Sequence, residues 1–331
     1  MATNLKRRKF LRNALLTTGG IFLVPNFISC KDDDDFTDEI PSDLTEKNFN
    51  QGVASFDPTN SQVIIWTRYS TNENAVDLTW QIATDDSFEN IVRQGEVTTD
   101  ASRDYTVAIE VQDLDENQYL YYRFIQINDE TISPIGETIT FGNTTTEVKL
   151  AVASCSNYAS GYFNVYEAIS DSDADVVIHL GDYIYEYGES TYGSFRTPDP
   201  VTEIISLDEY RTRYRQYRED EKLKELHRKK PFICVWDDHE ITNDSHKTGA
   251  QNHQEDEGDY ETRKADALQA YSEYLPNTTN IIDSSVIYRN LQIGNLIDLI
   301  MLDTRISGRD QQLDYLNYYT CLLYTSDAAD D

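Results

Sequence analysis

The sequence predicts a two-part protein in which an antiparallel β-sandwich precedes an α/β domain with a parallel sheet. Residues 49–142 contain short strand-like segments of alternating polarity at regular spacing, the pattern typical of immunoglobulin or fibronectin type sandwiches. Residues 148–319 alternate apolar strand-like runs with helix-like segments, which is the pattern of a parallel sheet. A polar linker, residues 143–147, separates the two patterns.

Length and charge limit the possible functions. The chain has 331 residues, enough for two domains, and its formal net charge is −31, with 28 Lys and Arg against 59 Asp and Glu. This acidic excess argues against a general nucleic-acid-binding protein, because neutralising phosphates needs clustered cations. Specific nucleic-acid binding is therefore not expected, and some of the acidic groups are candidates to hold cations.

The first thirty residues predict export. Arg7 and Arg8 lie among early positive charges, and residues 14–29 form an apolar segment that is too short and too interrupted to span a membrane. The arginine pair resembles a twin-arginine signal, and Cys30 ends a sequence similar to a lipobox. An ordinary secretory signal is the alternative.

We therefore expect residues 1–30 to be a twin-arginine-type lipoprotein signal peptide, recognised by the twin-arginine export machinery. Residues 31–48 are expected to form an acidic tether. Contact with the membrane is expected only through a lipid anchor at Cys30, which predicts an exported protein in the periplasm or on the outer cell surface.

Four strands are predicted in the first domain. They cover residues 63–67, 76–83, 105–111 and 119–127. Trp66 and Trp80 lie in two of these strands and are expected in the core, with sugar stacking as the alternative. Because the segment contains no cluster of titratable residues, we expect no chemistry from this domain.

Predicted elements of the second domain alternate between strands and helices. Strands are predicted at residues 149–154, 176–180, 231–236 and 296–302, and helices at residues 162–170, 207–229 and 259–274. The polar residues that follow the four strands are Cys155, Asp182, Asp237 and Asp303. One such ending is ordinary, since Asp after a strand is commonly a turn former or a helix cap. Four together predict one catalytic edge of one sheet.

The candidate donors at this edge combine oxygen, nitrogen and sulfur. They are Cys155, Asp182, Tyr185, His239 and Asn243. Carboxylate and phenolate oxygens with a thiolate suit a metal such as iron, whereas carboxylate and amide oxygens suit calcium or magnesium. Two metal ions about 3–4 Å apart can activate a water and clamp an in-line phosphoryl displacement. The alternative for Cys155 is a small buried hydrophobic residue.

Four residues also have two interpretations. His179 lies inside a buried strand, where a core histidine is favoured over a ligand. His239 either binds metal or hydrogen-bonds a ligand, and the same holds for Asp238. Arg305 either holds a phosphate oxygen or pairs with Asp303, and the pairing is favoured.

Five motifs occur in a fixed order along residues 49–316. They are Phe49-x-x-Gly52-Val53-Ala54-Ser55-x-Asp57-Pro58, Ser154-Cys155-x-Asn157-Tyr158, His179-Leu180-Gly181-Asp182-Tyr183-Ile184-Tyr185-Glu186, Trp236-Asp237-Asp238-His239-Glu240 with Asn243, and Leu302-Asp303-Thr304-Arg305. With them the chain resembles the PhoD-like alkaline phosphatase/phosphodiesterase family of the calcineurin-like metallophosphoesterase superfamily. The order of the motifs makes the resemblance more specific than any single motif.

The resemblance implies a fold, cofactors and an activity. The fold would be an α/β metallophosphoesterase sandwich of four αββα layers, incomplete in this chain, preceded by a small immunoglobulin/fibronectin-like β-sandwich. Cys155 and Tyr185 would bind iron, Asp182 would bridge the metals, and Asn243 would bind calcium. Asp182, Asn243 and His239 are the expected catalytic residues. The protein would hydrolyse phosphate monoesters or diesters with a metal-activated hydroxide or oxo nucleophile.

Two departures keep alternatives open. The family supplies further metal ligands from a Gly-Asp-x-His type motif, and no such motif follows Arg305. Residues 320–331 read as a foreign tail, so we expect this chain to be truncated and to bind metal incompletely. The alternatives are a nucleotidase with two divalent metals, and a surface lipoprotein that binds glycan or polymer and carries an inactive phosphoesterase domain.

Overall fold

The computed structural model describes residues 41, 43–281 and 283–313. The predicted signal peptide, Cys30, most of the tether and the predicted foreign tail lie outside these residues. Within the described ranges, none of the helices combines the length and the apolar character needed to cross a membrane.

Strands dominate the described part of the chain. They are β1 Thr45–Glu46, β2 Val53–Phe56, β3 Val63–Arg68, β4 Ala75–Ala83, β5 Ile91–Asp100, β6 Thr106–Val111, β7 Tyr119–Gln126, β8 Thr131–Ile132, β9 Gly136–Ile139, β10 Leu150–Ala153, β11 Val176–His179, β12 Phe232–Cys234, β13 Arg289–Ile293 and β14 Ile297–Met301. The α-helices are α1 Asn164–Ser170, α2 Leu207–Arg218, α3 Glu221–Lys229 and α4 Tyr260–Tyr274.

The strands form two larger sheets and one hairpin. The first sheet has the order β1-β8-β7-β4-β5, with β9 paired to β7, and its strands all come from the first half of the chain. The second has the order β10-β11-β12-β2-β3-β6, in which Phe232 of β12 lies opposite Phe56 of β2 in parallel register. The second sheet therefore crosses the predicted domain boundary.

The predicted strands of residues 49–142 are present as β3, β4, β6 and β7, while β2, β5, β8 and β9 were missed. The structure distributes these strands over both larger sheets, so the immunoglobulin or fibronectin type of this region stays a prediction. Trp66 and Trp80 are core residues as expected, with exposed fractions of 0% and 5%. The Trp66 indole also donates to the backbone oxygen of Glu273 at 2.7 Å, which links the two halves of the chain.

The predicted parallel arrangement is confirmed for three strands. β10, β11 and β12 are parallel neighbours, with Ala153 opposite His179 and His179 opposite Cys234. β11 is buried at every position, as expected for a strand covered on both faces. The carboxyl ends of these strands therefore meet at one edge of the sheet.

Two predicted elements of the second half differ from the structure. Residues 207–229 form two helices, because the Asp220 carboxylate caps α3 by accepting from Lys222 N at 3.1 Å. The fourth predicted strand, β14, does not join the parallel sheet; it pairs antiparallel with β13 and alternates between partly buried and exposed residues. The prediction of four strands at one edge of one sheet is therefore wrong, since only three share the sheet.

Candidate metal centre

The backbone at the ends of β10, β11 and β12 adopts uncommon conformations that bring these strand ends close together. Cys155 and Asp182 both adopt left-handed conformations, with φ values of 60° and 53°. Cys155 N donates to Gly181 O at 3.1 Å, and Ser156 N donates to Asp182 O at 2.8 Å. Gly181 has a φ of 103°, and a Cβ there would collide with the backbone of Asp237. Glycine before Asp182 thus allows the strand ends to approach closely.

The Asp182 carboxylate is the point where the predicted donors converge. Its Oδ2 lies 3.4 Å from Cys155 Sγ and 3.3 Å from the hydroxyl of Tyr185. Its Oδ1 accepts from the backbone nitrogen of His239 at 3.4 Å. Asp182 and Tyr185 are buried, whereas Cys155 is exposed. The alternative of a buried hydrophobic cysteine at position 155 is therefore wrong, while the ligand roles of these residues stay predictions.

Desolvation keeps the Cys155 thiol and the Tyr185 phenol protonated in this structure. Partial desolvation raises the pKa of the Cys155 thiol, and the charge of Asp182 raises it further. Burial, followed by the charge of Asp182, raises the pKa of the Tyr185 phenol. A bound cation would favour the thiolate and the phenolate, because ligands of this kind must lose their protons when they bind a metal.

A second group of ligand-type atoms lies at the same edge. One atom each from Asp182, Asp238 and His239 lies within 4.8 Å of the other two, and all three residues are buried. The Asp238 carboxylate accepts from the backbone nitrogen of Asp244 at 2.6 Å. Two carboxylates and an imidazole at this spacing could hold one metal ion.

Glu186 organises the surroundings of His239, a role that the sequence did not predict. It is fully buried and accepts from His239 Nδ1 at 2.7 Å, from Asn243 N at 2.7 Å and from Asn252 Nδ2 at 3.0 Å. Burial opposes the charge of Glu186, yet the hydrogen bond from His239 holds its pKa below the usual range. The sequence signal that could have indicated this role was the position of Glu186 directly after Tyr185 in an apolar stretch.

Hydrogen bonding fixes the orientation of the His239 ring. Burial lowers the pKa of His239, but the hydrogen bond to Glu186 outweighs it and raises the pKa to about 9. Because Nδ1 is used by Glu186, Nε2 is the ring nitrogen left for a metal ion or a substrate. The ring also packs on Tyr185 with centroids 4.2 Å apart.

The backbone nitrogen of Asn243 connects this residue to the site by donating to Glu186. Its side-chain nitrogen donates to Gln251 Oε1 at 2.8 Å, which leaves its side-chain oxygen available for a cation. The structure thus brings Asn243 beside Glu186, and its calcium-binding role stays a prediction.

Arg305 pairs with different acids from the one predicted. Its guanidinium lies 2.5 Å and 3.0 Å from the two Asp237 oxygens and 3.1 Å from Asp238 Oδ1. Asp303 instead accepts from backbone nitrogens, including that of Arg305 at 2.9 Å. The expected pairing with Asp303 is wrong because the Asp303 carboxylate caps the turn in which both residues lie.

His179 is a core histidine, as its position inside a buried strand predicted. It is fully buried, and its Nε2 lies 3.0 Å from both the Ser156 hydroxyl and the Tyr166 hydroxyl. Burial lowers its pKa to about 3, so the ring is neutral. His179 therefore supports the strand that carries Asp182 without reaching the cluster.

Comparison with known families gives two matches that together cover most of the chain. The family described as "PhoD-like phosphatase, N-terminal domain" matches residues 36–142, and the family described as "PhoD-like phosphatase" matches residues 150–330. The division between these matches falls at the predicted linker.

Individual relatives give the same result. Alkaline phosphatase D of Bacillus subtilis (strain 168) is 36% identical over 281 residues, which are 80% of this chain and 48% of that protein. A solved structure of PhoD matches with a TM-score of 0.74 and 34% identity, over 83% of this chain and 55% of its own. The chain therefore spans about half the length of the relatives that it matches. The structural match fits the predicted metallophosphoesterase-like fold.

Proposed function

The chain belongs to the PhoD-like phosphatase family, and on this basis we propose that it is a metal-dependent hydrolase of phosphate monoesters or diesters. The observation that carries the proposal is the convergence of a thiol, a phenol and a backbone N–H on the buried carboxylate of Asp182. The four-layer arrangement and the immunoglobulin-like first domain stay part of the proposal. The glycan-binding alternative has no support among these matches.

The donor set fits iron together with calcium. Cys155 and Tyr185 would hold iron, Asp182 would be shared by both ions, and Asn243 would offer its side-chain oxygen to calcium. Bound metal would polarise the phosphoryl group and lower the pKa of a water molecule. The Asp238 carboxylate is suited either to the same cation or to fixing the turn at Asp244.

The reaction would be an in-line displacement at phosphorus. A bond from the water oxygen to phosphorus forms while the bond from phosphorus to the ester oxygen breaks, and the leaving alcohol takes up a proton. His239 is placed to hold that proton at Nε2, since Glu186 fixes its other ring nitrogen. Arg305 balances part of the negative charge at this edge through its pairs with Asp237 and Asp238.

The direct test is hydrolysis by the full chain supplied with iron and calcium. The substrates would be p-nitrophenyl phosphate as monoester and bis(p-nitrophenyl) phosphate as diester, with metal content measured on the same sample. We expect turnover, iron in the protein and a visible absorption band from thiolate and phenolate ligation that weakens in Cys155→Ser. No turnover of either ester, with metal content unchanged in Asp182→Asn, would overturn the proposal.

Export is a separate proposal based on the first thirty residues. We propose that the protein leaves the cytoplasm through the twin-arginine machinery and is anchored by a lipid at Cys30, in the periplasm or on the outer cell surface. The test is labelling of cells with a radioactive fatty acid, comparing the native sequence with Cys30→Ser. Equal label in both proteins would contradict the lipid anchor, and export unaffected by replacing Arg7 and Arg8 with Lys would contradict the route.

A further inference from the structure

Three tyrosine rings form an aromatic shelf beside the candidate metal centre. The shelf consists of Tyr185, Tyr187 and Tyr192. Tyr192 stacks on Tyr185 with centroids 5.6 Å apart and planes 25° apart, and it lies 5.4 Å from Tyr187. Since the hydroxyl of Tyr185 touches Asp182, the Tyr192 ring is separated from the carboxylate cluster by a single ring.

Tyr192 is the exposed edge of this shelf. Its exposed fraction is 55%, whereas that of Tyr185 is 6%. The ring of His239 lies 6.2 Å from that of Tyr192, so the shelf borders both the metal donors and the imidazole. An exposed aromatic ring at this position can offer its surface to a substrate without displacing any core contact.

The backbone around Tyr192 is held from the neighbouring loop. The carbonyl oxygen of Tyr192 accepts from Asn157 Nδ2 at 3.1 Å and from the Ser160 hydroxyl at 3.0 Å. A Cβ on Gly193 would collide with the backbone of Ala159, so the two loops lie in direct contact. The loop that follows Cys155 therefore positions Tyr192.

A buried arginine holds the backbone on both sides of Tyr192. Arg213 of α2 is almost fully buried and donates to the carbonyl oxygens of Tyr185 and Tyr187, the latter at 3.1 Å. It also donates to the carbonyl oxygens of Asp199 at 3.1 Å and Pro200 at 2.9 Å. Because one guanidinium holds residues on both sides of Tyr192, the shelf is a preformed surface.

We propose that Tyr192 is a specificity-determining residue that stacks on a planar aromatic ring carried by the phosphate ester. The proposal rests on the proposed function, because it assumes that the phosphoryl group lies at Asp182. With phosphorus there, the ester oxygen and its substituent extend from the cluster across the shelf. Aromatic pairs are favourable by about 0.5–1.5 kcal/mol beyond the area they bury, so esters with a ring would be preferred over small aliphatic esters.

The test compares two non-hydrolysable phosphonates by isothermal titration calorimetry with the metal-loaded full chain. Phenylphosphonate carries the ring and methylphosphonate does not. We expect Tyr192→Ala to weaken phenylphosphonate binding by about 10-fold, equivalent to about 1.4 kcal/mol, and to leave methylphosphonate binding unchanged. Tyr192→Phe should keep the ring-dependent preference. Phe195→Ala is the matched control, since Phe195 is an exposed aromatic residue of the same loop.

The outcomes separate the two proposals. Methylphosphonate binding with no preference for phenylphosphonate would overturn the shelf and leave the phosphoesterase proposal intact. An equal loss for both probes in Tyr192→Ala would also overturn it, because Tyr192 would then only support the fold. Failure of both probes to bind the metal-loaded parent would contradict the proposed function and the shelf with it. A third probe, adenosine 5′-thiomonophosphate, distinguishes the source of the ring. If Tyr192→Ala loses more binding affinity for this probe than for phenylphosphonate, the ring is identified as a nucleobase.

Discussion

The buried carboxylates Asp57 and Asp104 of the first half have different partners from Asp182 at the end of β11. In the first half, Asp57 forms a two-point ion pair with Arg289 at 2.6 Å and 2.7 Å, and Asp104 pairs with Arg68 and Arg215. At the end of β11, Asp182 contacts a thiol, a phenol and a backbone N–H. Among the described residues, no arginine or lysine forms an ion pair with Asp182.

We interpret the difference as one between carboxylates that stabilise the fold and a carboxylate whose proposed role is to bind a cation. A buried charge without a partner is costly, so it is retained where a ligand or a reaction needs it. Glu240 illustrates the local excess of negative charge: burial and the neighbouring charge of Asp182 raise its pKa to about 8. By contrast, the Asp57 and Asp104 carboxylates are neutralised by arginines and need no further cation.

Asp182→Asn tests this comparison with the largest expected effect. The amide keeps the size of the side chain and removes its charge, so we expect loss of bound metal and a fall in phosphate-ester hydrolysis of more than about 100-fold. Metal content and hydrolysis rate are measured on the same preparation, and circular dichroism checks the fold. Retained metal with full activity would remove the distinction between the two groups of carboxylates.

Asp57→Asn tests the other half of the comparison. It leaves the buried Arg289 guanidinium without its carboxylate, so we expect the free energy of unfolding to fall by about 3–5 kcal/mol. Urea denaturation gives the free energy, and metal per folded protein should equal that of the native sequence. A loss of metal from folded Asp57→Asn would show that the ion pair also serves the site.

The fold was predictable where its signals are local. Alternating and continuous apolar runs predicted β3, β7 and β11 nearly to the residue, since such patterns depend only on near neighbours. The pairing of β12 with β2 was missed, because contacts between distant strands leave no local pattern. For the same reason β14 was assigned to the parallel sheet although it forms a hairpin with β13.

The site residues were predictable where a metal-binding residue type follows the end of a predicted strand. Cys155, Asp182 and Tyr185 were chosen for this reason, and the structure brings them within hydrogen-bonding distance. Glu186 was missed because its importance comes from partners far along the chain, such as His239. The partners of Arg305 were missed because they depend on how the hairpin packs.

Glu186→Gln extends the comparison to a carboxylate that acts indirectly, by orienting its neighbour His239. Glutamine can no longer hold the charge that orients His239, so we expect metal affinity or hydrolysis to fall by about 10–100-fold. Metal affinity is measured by competition with a chelator, and the pH profile of hydrolysis is recorded for both proteins. Gln is the shape-matched replacement, so an unchanged pH profile and affinity would contradict a positioning role.

His179 offers the smallest test, because it is a buried histidine without the carboxylate partner that His239 has. The groups around it are neutral: the hydroxyls of Ser156 and Tyr166 lie 3.0 Å from Nε2, and the ring of Tyr183 lies 5.2 Å away. Its pKa of about 3 in the folded protein lies below the ordinary value of about 6.5 in the unfolded chain. The unfolded state therefore binds the extra proton below pH 6.5, and stability falls as the pH falls from there towards 3.

The expected slope is at most about 1.4 kcal/mol per pH unit, so stability should drop by about 1 kcal/mol between pH 7 and pH 5.5 through this residue. Urea denaturation at both pH values, in the native sequence and in His179→Asn, gives the contribution of His179 as the difference between the two proteins. His227 is also buried and is present in both; burial, then Arg218 and His179, lower its pKa, so the difference includes the effect of His179 on His227. The difference between the proteins should be constant above pH 8 and change only below about pH 6.5. The same slope in both would mean that His179 gains a proton-accepting partner in the folded state, and the contrast with His239 would be lost.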